Sequence, residues 1–66
     1  MIVIINGKSE DIQATVILDV LKAKNLDPRM VAVELNDTMI ERDQLSSTSV
    51  TDGDRVEFLF YMGGGQ

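Results

Sequence analysis

The first thirteen residues, Met1-Ile2-Val3-Ile4-Ile5-Asn6-Gly7-Lys8-Ser9-Glu10-Asp11-Ile12-Gln13, decide the fold. Ile2 to Ile5 is an unbroken apolar, β-branched run, the pattern of a strand buried on both faces. Asn6-Gly7 then supplies a type I′ hairpin turn, because both central residues of that turn need positive φ. Lys8 to Gln13 reads as the return strand, polar and at a sheet edge, where Lys8 and Glu10 discourage pairing with another chain. The apolar start is only five residues long and has no basic flank. It is too short for a signal-peptide core or a membrane span, so it opens a sheet.

Beyond this hairpin the period changes from two to 3.6. Thr15 is an N-cap candidate for a helix running to about Asn25. Ile17, Val20, Leu21 and Lys24 fall at i, i+3, i+4 and i+7, and Leu18 widens the stripe, so the helix lies on something. Asn25 offers a left-handed stop and Pro28 forbids continuation. Val31, Val33 and Leu35 alternate with Ala32, Glu34 and Asn36 as a half-buried strand. Asn36-Asp37 is a turn, Met39-Ile40 a short strand, and Leu45 pins an otherwise polar connection to the core. Thr51-Asp52-Gly53-Asp54 is a turn with Asx chemistry. Arg55 to Met62 is the last strand, with Val56, Phe58, Phe60 and Met62 on one face and Phe58 beneath the helix. The order is ββαβ(β)β. The two most apolar strands, first and last, suit a central parallel pair. The expected class is α+β: a mixed sheet of four to five strands covered by one helix, for which a β-grasp is the simplest topology. Residues 1–62 form that domain and 63–66 a flexible glycine-rich tail.

Composition narrows the chemistry. The chain has 66 residues, a net charge of −5, no cysteine and no histidine. There is no thiolate, no imidazole and no zinc site on which to build an enzyme, and no catalytic or metal-binding residue is expected. The acids Asp37, Glu41, Asp43, Asp52 and Asp54 lie in turns and do not match a calcium loop. Lys22, Lys24 and Arg29 are interleaved with Asp19 and Asp27, so no basic stripe faces nucleic acid. The acidity serves solubility or complements a basic partner surface. A cytoplasmic location is expected, with neither nucleic acid nor membrane as partner.

Gly63-Gly64-Gly65 follows directly on the last strand. Glycine loses more freedom on ordering than any other residue, so three at a chain end do not stabilise a fold. They read either as a frayed terminus or as a tail selected for thinness. From Gly63 to Gln66 such a tail spans at most ~14 Å, enough to enter a partner's active site while the body stays outside. Leu59 and Tyr61, beside the tail, could form an apolar docking patch or be harmless surface residues. Met30, Met39 and Met62 are gap-fillers or interface residues.

Met1-Ile-Val-Ile-Ile-Asn-Gly-Lys8, Val31-Ala-Val-Glu-Leu-Asn36, Asp52-Gly-Asp-Arg-Val-Glu57 and the closing glycines, in this order and at this length, resemble the ThiS family. The likeness covers essentially the whole chain. These are ubiquitin-like β-grasp sulfur carriers of thiamine thiazole synthesis. The resemblance implies that the carboxylate of Gly65 is adenylated by a ThiF-like enzyme using ATP and magnesium, no cofactor being bound by the carrier itself. A sulfur donor such as a cysteine desulfurase then displaces AMP. The resulting thiocarboxylate serves the thiazole synthase ThiG, with Leu59 and Tyr61 docking one or other partner. Family members typically end at Gly-Gly, whereas this chain continues to Gln66, whose removal by a peptidase would free Gly65. The plainer alternative is that Gln66 is itself the activated terminus. Related carriers serving cysteine, homocysteine or molybdopterin synthesis use the same scaffold. A non-catalytic ubiquitin-like binding module is the reading from another class.

Overall fold

The computed structural model describes residues 1–61. Strand β1 spans Ile2–Ile5, β2 Lys8–Asp11, β3 Val31–Leu35, β4 Thr38–Ile40 and β5 Arg55–Phe60, and helix α1 spans Ile17–Ala23. The sheet order is β2-β1-β5-β3-β4, with β1 and β5 parallel and the other neighbours antiparallel. This is the mixed sheet and single helix expected of a β-grasp, with the first and last strands paired in parallel inside it.

The tight turns sit where Asn, Asp and Gly are placed. Asn6 and Gly7 have φ of 49° and 83°, and Asn36 and Asp37 have 50° and 72°. Each pair closes a two-residue hairpin, Ile5 opposite Lys8 and Leu35 opposite Thr38. These are the positive dihedrals that a type I′ turn requires. Asn25, at φ 58°, ends α1. The Leu26 N–H donates to the Leu21 carbonyl at 2.9 Å and the Asn25 N–H to that of Lys22 at 3.1 Å, so two carbonyls left over at the helix end are satisfied.

The helix start differs from expectation. Val16, not Thr15, is the N-cap. Valine has no side-chain acceptor, and the capping is done from inside the helix. The Asp19 carboxylate accepts from the Thr15 and Val16 N–H groups at 2.9 and 3.2 Å, and these bonds lower its pKa. The helix is shorter than the periodicity suggested, ending at Ala23 because the left-handed Asn25 closes it. The return strand stops at Asp11, short of Gln13, as Ile12 turns into the core.

Ile17, Val20 and Leu21 of α1 are fully buried against Val3, Ile5, Val33, Val56 and Phe58 of the sheet. Leu45, 2% exposed, plugs one side as expected, and Ile12 and Val50 close the others. Lys24 lies at the margin of the stripe, where its ammonium meets Glu10 of β2 at 2.6 Å. The expectation that β1 is buried on both faces is corrected: Val3 and Ile5 are buried, Ile2 is 43% exposed and Ile4 only half-buried. One helix covers one face, and among the described residues no second layer covers the other.

Candidate functional site: the end of the central strand

β5 lies at the centre of the sheet and is the last element of the described residues, so whatever fixes β5 fixes the position of Tyr61, the last of them. Its start is held by a network around Asp54. The Asp54 carboxylate accepts from the Thr51 N–H at 2.8 Å, from the Thr51 hydroxyl and from the Asn36 side-chain amide at 3.1 Å. These donors favour the charged form, and the Thr51 N–H leads in holding the Asp54 pKa below the usual carboxylate value. Asn36 completes the tie: its Oδ1 accepts from the Arg55 N–H at 2.9 Å, and its own N–H donates to the Arg55 carbonyl at 2.8 Å. Gly53, at φ 89°, donates its N–H to the Ile2 carbonyl, while the Ile2 N–H donates to Asp52. The turn read from Thr51 to Asp54 is therefore present, closed by the Asp54 N–H donating to the Thr51 carbonyl at 3.1 Å and by the Asp54 side chain reaching back, and it anchors β5 to β1.

Past Ile5, β1 has turned away, yet β5 remains bonded on that side. The Asn6 N–H donates to the Val56 carbonyl at 3.0 Å. The Asn6 Oδ1 accepts from the Phe58 N–H at 2.8 Å and Nδ2 donates to the Phe58 carbonyl at 3.5 Å. One side chain substitutes for a further residue of the strand. Sequence reading placed Asn6 in its turn but missed this second task, because the partner is 52 positions away.

On its other side β5 runs along β3 to Phe60 opposite Val31, and the Tyr61 N–H donates to the Met30 carbonyl at 3.2 Å. Val56 and Phe58 are buried, with Phe58 in the core as expected. Leu59 is 48% exposed and Tyr61 58%. Phe60 shares the face of Val56 and Phe58 but is also exposed, since it lies beyond them in the strand and its side chain leaves the core. Met30 is exposed as well. Leu59, Phe60, Tyr61 and Met30 thus form an apolar collar at the last described residues of the chain. A hollow of about 280 Å³ opens beside Tyr61, lined in part by Ala32, Met39 and Arg42. The expectation that β5 continues to Met62, and the tail residues Gly63, Gly64, Gly65 and Gln66, lie outside the described residues. Among the described residues no group of three or more acidic side chains could hold a metal ion.

Comparison with known proteins bears on the whole chain. The model of the ThiS family matches residues 3–65. A crystal structure of a thiamine biosynthesis protein (ThiS) from Geobacter metallireducens superposes with a TM-score of 0.84 at 38% identity, covering 98% of this chain and 100% of that one. A solution structure of a thiamine biosynthesis protein from the same organism gives 0.80 at 37% identity, covering 100% of this chain and 90% of that one. A thiazole synthase from Paramagnetospirillum magneticum is 32% identical over 98% of this chain, which spans 20% of that protein's length.

Proposed function

Because the chain belongs to the ThiS family, we propose that it is a sulfur carrier whose reactive group is the carboxylate of Gly65. A carboxylate is a poor acyl donor. Adenylation by a ThiF-like enzyme with ATP and magnesium converts it to a mixed anhydride with a good leaving group. The persulfide of a donor such as a cysteine desulfurase then displaces AMP to give an acyl disulfide, and a thiol reductant cleaves its S–S bond and leaves a thiocarboxylate. The carrier presents the group and its partners supply the catalysis, so it is not itself an enzyme. The adenylation and transfer take place in the cytoplasm.

The observation that carries this reading is where the family match stops: it runs to residue 65 and leaves out Gln66. While Gln66 is attached, the Gly65 carbonyl is an amide and has no carboxylate to activate. A peptidase therefore acts first. Thiazole formation is favoured as the destination because a thiazole synthase contains a segment similar to almost all of this chain, which suits a carrier that works against ThiG. Gln66 is the one feature that favours the other reading, a carrier for cysteine or homocysteine synthesis.

The test is reconstitution with purified adenylating enzyme, sulfur donor and thiazole synthase. Chain ending at Gly65 is expected to support thiazole formation. Full chain is expected to do so only after Gln66 is removed, and Gly65→Ala to fail in either form. Full activity with Gln66 retained throughout would overturn the assignment of Gly65.

A further inference from the structure

The uncovered face of the sheet sets two like charges side by side. Register sets Glu57 of β5 directly opposite Glu34 of β3, and Glu34 opposite Met39 of β4. Leu59 and Ala32 make the next row towards the tail, and Tyr61 and Met30 the row after it. Like charges directly opposite each other on neighbouring strands repel. Among the described residues neither Glu34 nor Glu57 enters an ion pair, and Arg55, two positions before Glu57 on the same strand, is already engaged by Asp37 at 3.1 Å. The two carboxylates lie side by side, without an ion-pair partner among the described residues, on a face that also carries the exposed apolar side chains of Met39, Leu59 and Tyr61.

We infer that this face receives the thiazole synthase through one cationic side chain, an arginine or lysine, seated on the Glu34–Glu57 pair, with apolar side chains of that partner on Leu59, Met39 and Tyr61. The partner's identity rests on the sulfur-carrier reading; the cation rests on the register. Two adjacent carboxylates match the several donors of a guanidinium, and an apolar rim that excludes water strengthens such a contact. A second copy of the chain is a poor occupant. Two-fold pairing through this face would press one acid pair against the other, on molecules that each carry a net charge of −5. The face is continuous with the collar at Tyr61, the last described residue, so a partner seated there lies beside the point from which the remaining residues continue.

The test measures binding of the full chain, and of the double variant Glu34→Gln with Glu57→Gln, to purified thiazole synthase from the same genome. Titrations run at about 0.01 M and about 0.1 M salt, between which the screening length falls from ~30 Å to ~10 Å. The double variant is expected to bind about tenfold or more weakly at low salt and to lose most of the salt dependence. Its Tm is expected to rise by ~1–5 °C as the repulsion is removed, a change that a role in holding the fold together would reverse. Unchanged affinity and unchanged salt dependence would overturn the cation contact. If Tyr61→Ala still weakened binding in that case, the carrier reading would survive it. Formation of the thiocarboxylate without any binding to thiazole synthase, or a loss seen only with the adenylating enzyme, would also overturn the inference. So would self-association in sedimentation that strengthens in the double variant, since the occupant would then be a second copy.

Discussion

At Asn6 the backbone takes a φ of 49° while the side-chain amide makes both hydrogen bonds to Phe58. Substitutions can separate the two tasks. Asn6→Gly keeps the turn and loses the amide, and is expected to cost about 1–2 kcal/mol for two hydrogen bonds. Asn6→Ala loses the same bonds and adds about 1 kcal/mol for a Cβ at positive φ. Urea denaturation of both variants checks the difference, and equal costs would show that the turn carries no strain. Titration tests the acids. The folded-state pKa values of Asp54, Asp19 and Asp27 all lie below the ordinary 3.8, Asp27 at about 2 because Arg29 donates to it. A depressed carboxylate stabilises the fold fully above its unfolded pKa and loses that contribution as pH falls through the folded value. Stability is thus expected to hold above about pH 4 and to decline towards pH 2. Asp54→Ala is expected to cost about 1–3 kcal/mol at neutral pH and to flatten the acid limb of a stability–pH curve measured by urea denaturation.

Among the elements, α1 supplies three fully buried side chains to a small core. Leu21→Ala is expected to cost about 2–5 kcal/mol. A core this size rarely provides more than ~3–5 kcal/mol in total, so the variant should be largely unfolded by circular dichroism at room temperature. Retention of a cooperative transition with near-normal midpoint would contradict the central place given to α1. The elements that sequence made legible are those with local causes. Asn6-Gly7, Asn25 and Asn36-Asp37 each need a residue that tolerates positive φ, and the helix stripe and β3 alternation follow from their periods. Apart from the helix start, which turns on a residue only three positions away, the misread features have distant causes. Val16 became the N-cap because Asp19 reaches back from the first turn. Alternation gave the face of Phe60 correctly but not the point where the core stops, so its exposure was missed. An apolar run such as Ile2 to Ile5 does not reveal how many layers cover it. The facing of Glu34 and Glu57 depends on register between strands that are far apart in sequence.

For the whole molecule, the fold holds β5 at three places: the Asp54 network at its start, Asn6 alongside and β3 to its end. Such a body suits the proposed role of a carrier that presents a chain end to partner enzymes. In sequence the end was legible as three glycines and a trailing Gln66, while the reactivity proposed for it would come from partner enzymes. The collar of Leu59, Phe60, Tyr61 and Met30 was only partly legible, since Met30 comes beside Tyr61 through strand pairing. The most direct measurement is the intact mass of the chain ending at Gly65 after incubation with ATP, magnesium, its adenylating enzyme and a sulfur donor. The mass is expected to rise by the difference between one sulfur and one oxygen atom, with the change confined to the C-terminal peptide and absent from Gly65→Ala. An unchanged mass with an adenylating enzyme that is active on another carrier, or a thiocarboxylate found on Gln66 of the full chain, would contradict it.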